Sequence, residues 1–175
     1  MLKQCWLALT LGLVGLAALS AFAQTPPVAS TAACGRENVS FKVKLNGSSH
    51  TLAQPDPAKA LVYFFHDAGT PITLGYPTVK LAIDGAWVGA NHGNSYFSVS
   101  VEPGDHHVCV TLQSSLVAQR VELAHFTAEA GKVYYYRTQL VMSRSVELLE
   151  FDPIDSDQGK YLIAFFPLSV STPKK

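Results

Sequence analysis

The chain has 175 residues and six histidines, and its 13 Lys and Arg balance 13 Asp and Glu, so it is formally neutral. That length fits one domain able to bury an ordinary core. Neutrality leaves no basic surface of the kind that draws nucleic acid or an anionic membrane, and neither is expected as a partner.

The N-terminus reads as an export signal. Lys3 supplies a positive start, Trp6 to Leu19 is an apolar run broken only by Thr10, Gly12 and Gly15, and Ala21, Phe22 and Ala23 follow with small residues at both positions a signal peptidase must accommodate. This predicts a signal peptide over residues 1–23 and Gln24 as the new first residue. The run is shorter than the roughly 20 apolar residues of a transmembrane helix, and no second run of that length follows. An uncleaved anchor is the alternative. Cys5 lies ahead of the apolar run, where it does not serve as the cysteine of a lipoprotein signal. Without Lys3 the mature chain has 12 basic and 13 acidic residues, a net charge of −1. Residues 24–33 are small, polar and Pro-containing, and predict a disordered leader.

Period-two alternation dominates the remainder and predicts strands. Val39, Phe41, Val43 and Leu45 alternate with polar residues up to Asn46 and Gly47, a turn signal. Ala60 to Phe65 is a short apolar run suited to a central strand. Glycines and prolines punctuate the Gly69–Pro77 loop. Val79, Leu81 and Ile83 alternate up to Asp84 and Gly85, the strongest hairpin signal, and Trp87 and Val88 begin the return strand. After the Asn91–Asn94 turn, Phe97, Val99 and Val101 alternate again. Strands are then expected over 106–112, 121–126, 133–140 and 146–151. Asp155 is placed to cap a short helix through Gln158 to Ile163, which Gly159 weakens. Ser169 to Lys175 reads as a frayed tail. About eight strands with turns every 8–12 residues predict a single antiparallel β-sandwich over residues 34–168, all-β in class. Val39, Phe41, Val43, Leu81, Ile83, Phe97, Val99 and Val101 are its expected core.

Cys34 and Cys109, 75 residues apart, are the cysteines of the mature chain. In an oxidising compartment their simplest state is one disulfide; two unrelated thiols are the alternative. A zinc site needs about four ligands at recognisable spacing, and no C-x-x-C is present.

Ala33-Cys34-Gly35, the ALVYFF strand, Leu81 to Gly89, Asn94 to Phe97, Pro103 to Cys109 and Ala130 to Arg137 together resemble a family of exported bacterial domains of unknown function. The resemblance covers roughly residues 33–163. It implies an exported β-sandwich and, since the family carries no established activity, no catalytic residue.

Six histidines and scattered acids are the first candidates for chemistry. Residues i and i+2 of a strand share a face, so sheet metal sites favour His-x-His, and that spacing is absent. His106 and His107 should face opposite ways. A metal site would have to gather one of them with His66 and His92. No Gly-x-Ser-x-Gly elbow marks a serine hydrolase. His107 and Cys109 are two apart, but a disulfide removes the thiolate. Asp152, Asp155 and Asp157 lack the full pattern of a calcium loop, and helix capping is their expected use.

Aromatics are the remaining lead. Tyr76, Trp87 and Tyr96 lie near turns, and with Asn91 they form the expected binding surface, built on the Gly69–Pro77 loop and the Asp84-Gly85 and Asn91–Asn94 turns. The reading is a secreted or periplasmic, non-catalytic binding or accessory domain of the cell envelope without a cofactor, its partner a protein, peptide or glycan. The alternative is a metal-dependent enzyme or metal carrier using His66, His92, His106 and His107.

Overall fold

The computed structural model describes residues 33–35, 39–47, 50, 52–69, 76–113, 121–143 and 146–174. The expected signal over 1–23 and all of the expected leader except Ala33 lie outside them, as do residues 70–75 of the Gly69–Pro77 loop.

The elements in chain order are β1 (Phe41–Asn46), β2 (Ala60–Asp67), β3 (Thr78–Ile83), β4 (Ala86–His92), β5 (Ser95–Val101), β6 (Gly104–Leu112), β7 (Val121–Ala128), β8 (Val133–Ser143), β9 (Val146–Pro153), α1 (Ser156–Phe165) and β10 (Leu168–Pro173). They form a six-stranded sheet in the order β1-β10-β5-β2-β8-β9 and a four-stranded sheet in the order β4-β3-β6-β7. The all-β sandwich is as expected, with three corrections. There are ten strands among the described residues, not eight. Two neighbouring pairs, β2 with β8 and β10 with β5, are parallel, so the sandwich is not purely antiparallel. Residues 169–173, expected to fray, belong to β10, whose backbone pairs with β1 from Phe41↔Pro173 to Asn46↔Leu168.

β2 explains why the ALVYFF run does not alternate. Ala60, Val62 and Phe64 enter the core between the sheets, and Leu61, Tyr63 and Phe65 enter a second core under α1. A strand covered on both faces reads as a continuous apolar segment. Between the sheets Phe64 meets Phe97, Tyr136 and Phe151, with ring centroids 5.5, 6.1 and 6.2 Å away. Val79, Leu81 and Ile83 of β3 and Val108, Val110 and Leu112 of β6 close this core from the facing sheet. Of the expected core set, Phe41, Leu81, Ile83, Phe97 and Val101 are buried, and Val39, Val43 and Val99 are half-buried.

Asp155 caps α1 as its position predicts, accepting from the backbone N–H of Asp157 and Gln158 at 2.8 and 2.9 Å. Gly159 is accommodated because the Tyr135 ring lies against it, where a side chain would not fit. On the outer face of the four-stranded sheet, Ala33, Ala82 and Cys109 pack with Cys34 and Trp87. Cys34 and Cys109 are joined by a disulfide, their Cα atoms 5.0 Å apart.

The strand directions give the sandwich two distinct ends. The β2–β3, β4–β5, β6–β7 and β8–β9 connections leave from one, and the β3–β4, β5–β6 and β7–β8 connections from the other.

Candidate functional site

This polarity divides the expected binding surface. Gly69, Tyr76 and Pro77, the described ends of the Gly69–Pro77 loop, lie at the first end with Gly93 and Asn94, to which the expected Asn91–Asn94 turn shrinks because Asn91 and His92 belong to β4; the Asp84-Gly85 turn lies at the second. Tyr76 is 39% exposed at the first end. Its ring rests on Gly93, whose φ is +60° and where a Cβ would stand 3.1 Å from Tyr76 Cγ. Trp87 is half-buried near the disulfide, with Lys80 Nζ 4.2 Å from its ring centroid. Lys80 Nζ also donates to the Val39 carbonyl at 2.9 Å. Asn91 and Tyr96 are not surface residues. Asn91 takes the inward phase of β4, is fully buried, and donates through Nδ2 to the Phe64 carbonyl at 3.0 Å. Tyr96 takes the phase of β5 that faces α1 and is buried against Tyr63 and Phe65.

The four histidines of the metal alternative are divided in the same way. His66, one residue before the end of β2, and His92, the last of β4, lie at the first end, while His106 and His107 lie in the first half of β6, toward the second. Among the described residues no group of three His, Cys, Asp or Glu side chains is placed to hold a metal ion. His106 and His107 face opposite ways, as adjacency in a strand requires. His106 is buried against Phe126, with Nδ1 2.6 Å from Asp84 Oδ2 and Nε2 2.7 Å from the Glu102 carbonyl. His107 is exposed beside His125 of β7, ring centroids 5.3 Å apart, and its backbone N–H donates to Asp84 Oδ1 at 2.8 Å. His92 shares a hydrogen bond with the Thr78 hydroxyl at 2.9 Å.

Two histidines are shifted from the ordinary value. Burial pushes His66 down to about 4, against the Thr138 carbonyl and Asp67, which act upward. Burial also pushes His106 down, but the Glu102 carbonyl and the Asp84 and Asp105 carboxylates outweigh it, and the net shift is upward.

A concentration of buried polarity lies at the first end. Along β2 the inward-facing residues are Ala60, Val62, Phe64 and then His66, so His66 extends the core face by one row. Its register partners are Ser95 on β5 and Thr138 on β8. Ser169 of β10 donates to Ser95 Oγ at 2.8 Å and lengthens the row. Asn91 joins it from the facing sheet. His66, Asn91, Ser95 and Thr138 have no exposed surface, and Ser169 has 5%. The signal in the sequence was the even spacing from Phe64 to His66. The burial of Ser95 and Thr138 depends on pairings across 29 and 72 positions, which the sequence does not display.

The family model described as a protein of unknown function, DUF2846, matches residues 56–150, more than half of the chain, and the chain belongs to that family. The match is shorter than the 33–163 resemblance read from the motifs. It holds His66, Asn91, Ser95 and Thr138 and leaves out Cys34, β1, α1 and β10. No curated protein and no solved structure matches the chain.

Proposed function

We propose that this member of the family is an exported domain of the cell envelope that binds a partner through the first end of its sandwich and does not turn over a substrate. Export is supported by the charged, apolar and small-residue order of residues 1–23 and by the Cys34–Cys109 bond, which persists in an oxidising compartment.

The observation that carries the binding reading is Tyr76, held exposed against Gly93 of the β4–β5 turn at one end of the two-sheet frame. An aromatic face fixed in this way stacks on a sugar ring or packs on an apolar peptide side chain. Two of the four histidines of the alternative support binding over catalysis. His106 has both nitrogens engaged, and His66 is sealed in the core, so neither offers a free base to a substrate.

Glycan and peptide arrays probed with the purified protein test this. Binding that falls at least tenfold in Tyr76→Ala, with an unchanged melting temperature, is the expected result. Equal binding by Tyr76→Ala moves the surface elsewhere. Turnover of esters, peptides or glycosides that disappears on replacing His66, His92 or His107 places the protein among enzymes. Cell fractionation tests the compartment, and recovery in the cytosol with both cysteines reduced overturns export.

A further inference from the structure

In the six-stranded sheet the inward-facing row Phe97, Phe64 and Tyr136 is aromatic, and the next row, Ser95, His66 and Thr138, is polar. Some of its bonding is complete. Ser95 Oγ accepts from the His92 N–H at 3.1 Å and from Ser169 Oγ at 2.8 Å. His66 Nδ1 faces the Thr138 carbonyl at 3.3 Å. Among the described residues five buried side-chain atoms are without a hydrogen-bond partner; besides Thr111 Oγ1 and Arg137 Nε they are His66 Nε2, Thr138 Oγ1 and Asn91 Oδ1.

The chemistry of the last three is of one kind. A ring nitrogen facing a carbonyl carries the proton, so Nδ1 is the donor and Nε2 a bare acceptor. Asn91 Nδ2 is committed to the Phe64 carbonyl, which leaves Oδ1 as an acceptor. The Thr138 hydroxyl gives or takes. Buried polar atoms without partners destabilise a fold, and native proteins pair nearly all of them. Two acceptors and a hydroxyl call for a donor. An uncharged donor suffices: Asp67, the carboxylate that follows His66, lies on the opposite face of β2, where it accepts from Gln139 Nε2 at 3.0 Å.

We infer that His66 Nε2, Asn91 Oδ1 and Thr138 Oγ1 form an internal seat for an uncharged O–H donor, an ordered water or the hydroxyl of a small alcohol. A buried water makes about three hydrogen bonds, which matches the three atoms. The seat is independent of Tyr76 and of any partner bound there. The lowered proton affinity of His66 agrees with it, since the ring stays neutral and Nε2 remains an acceptor at neutral pH.

NMR on the 15N-labelled protein tests the seat. The expected result is a His66 ring protonated at Nδ1, with water cross-peaks to the ring and to the Asn91 side-chain amide. Titration with methanol separates the sources: shifted His66 and Asn91 resonances assign the seat to hydroxyls in general, and unshifted ones assign it to water. A ring protonated at Nε2, or a site that takes xenon and shows no water contact, overturns the inference. Thr138→Val gives an independent reading because the side chains are nearly isosteric. If Oγ1 bonds a seated donor, the urea midpoint falls. If Oγ1 is unpaired, the midpoint rises and the seat is refuted.

Discussion

His106 is bracketed by two acceptors, Asp84 Oδ2 at 2.6 Å from Nδ1 and the Glu102 carbonyl at 2.7 Å from Nε2. A neutral imidazole donates from one nitrogen only, so the geometry requires the doubly protonated ring. Asp84 completes the arrangement. Its Oδ1 accepts from the His107 N–H, its own N–H donates to the His107 carbonyl, and its φ of 49° is one that Asp tolerates better than most residues. One imidazolium thereby joins the β3–β4 turn to the β5–β6 turn.

A pH dependence of stability follows. His106 holds its proton more tightly folded than unfolded, so its contribution is complete below the ordinary histidine value of 6.5 and is lost as pH rises through the raised value. For Asp84, burial acts upward, but the bonds from the His107 N–H and from His106 outweigh it, and the net shift is downward. Its contribution is complete above 3.8 and is lost as pH falls through the lowered value. The pair therefore stabilises fully between about 3.8 and 6.5. Urea midpoints measured from pH 6 to pH 9 should fall, and His106→Gln should remove most of that slope. A slope that survives the substitution assigns it to another group.

The Cys34–Cys109 bond closes a 75-residue separation and fastens the segment before β1 to the outer face of the four-stranded sheet. The Gly85 N–H, donating to the Ala33 carbonyl at 3.0 Å, depends on that attachment. On the chain-entropy model a loop of this size is worth roughly 4 kcal/mol, and measured values are often smaller. Replacing both cysteines by serine should lower unfolding stability by about 2–4 kcal/mol, read by urea denaturation against the oxidised protein. An unchanged midpoint would show that the tie does not constrain the unfolded chain.

How much of this was legible in the sequence depends on the distance over which a feature is encoded. β3 and β5 were readable because Val79, Leu81 and Ile83, and Phe97 and Val101, are inward residues of their own strands, and alternation is local. The Asp155 cap was readable for the same reason. β10 was not. Leu168 to Pro173 is short and half polar, Ser169 is its one buried residue, and it is held by backbone pairing to β1 across the whole domain. Nor was the parallel pairing of β2 with β8, because the chain between them passes through β3 and β4, returns to the first sheet as β5 and leaves again through β6 and β7, in place of a crossover helix. The candidate site suffered most. Asn91 and Tyr96 carry polar and aromatic groups beside a turn, which suggests exposure. Strand phase and the facing sheet bury both.

Gly159 tests the packing of α1. In a helix interior Ala is favoured over Gly by about 1 kcal/mol, so Gly159→Ala would stabilise if propensity decided. The added Cβ would collide with Tyr135 Cδ1 and Cγ, in a ring stacked 5.5 Å from Tyr63. These atoms lie close to the backbone of β8 and have little room to yield. Overpacking of this kind costs about 1–3 kcal/mol, and a net loss of stability with a lower melting temperature is expected. A gain would show that α1 lifts from the sheet easily.

His66 should govern the acid side, with the opposite sign to His106. Burial lowers its proton affinity, so the folded ring stays neutral down to about 4, whereas the unfolded ring gains a proton below 6.5. Stability from this residue is therefore complete above 6.5 and falls as the pH drops toward 4. A displacement from 6.5 to about 4 corresponds to roughly 3 kcal/mol, order of magnitude. Over the same interval the Asp84–His106 pair contributes its full amount, so a decline there belongs to His66 and not to the turn. His66→Gln keeps a polar side chain in the row and removes the titration. It should flatten the urea midpoint between pH 6.5 and pH 4 while leaving the alkaline decline in place, and His106→Gln should do the reverse. An NMR titration of the folded protein gives the direct measurement. A His66 midpoint near 4 is expected, and a midpoint close to 6.5 would mean that the ring is reached by solvent and that the polar row is open.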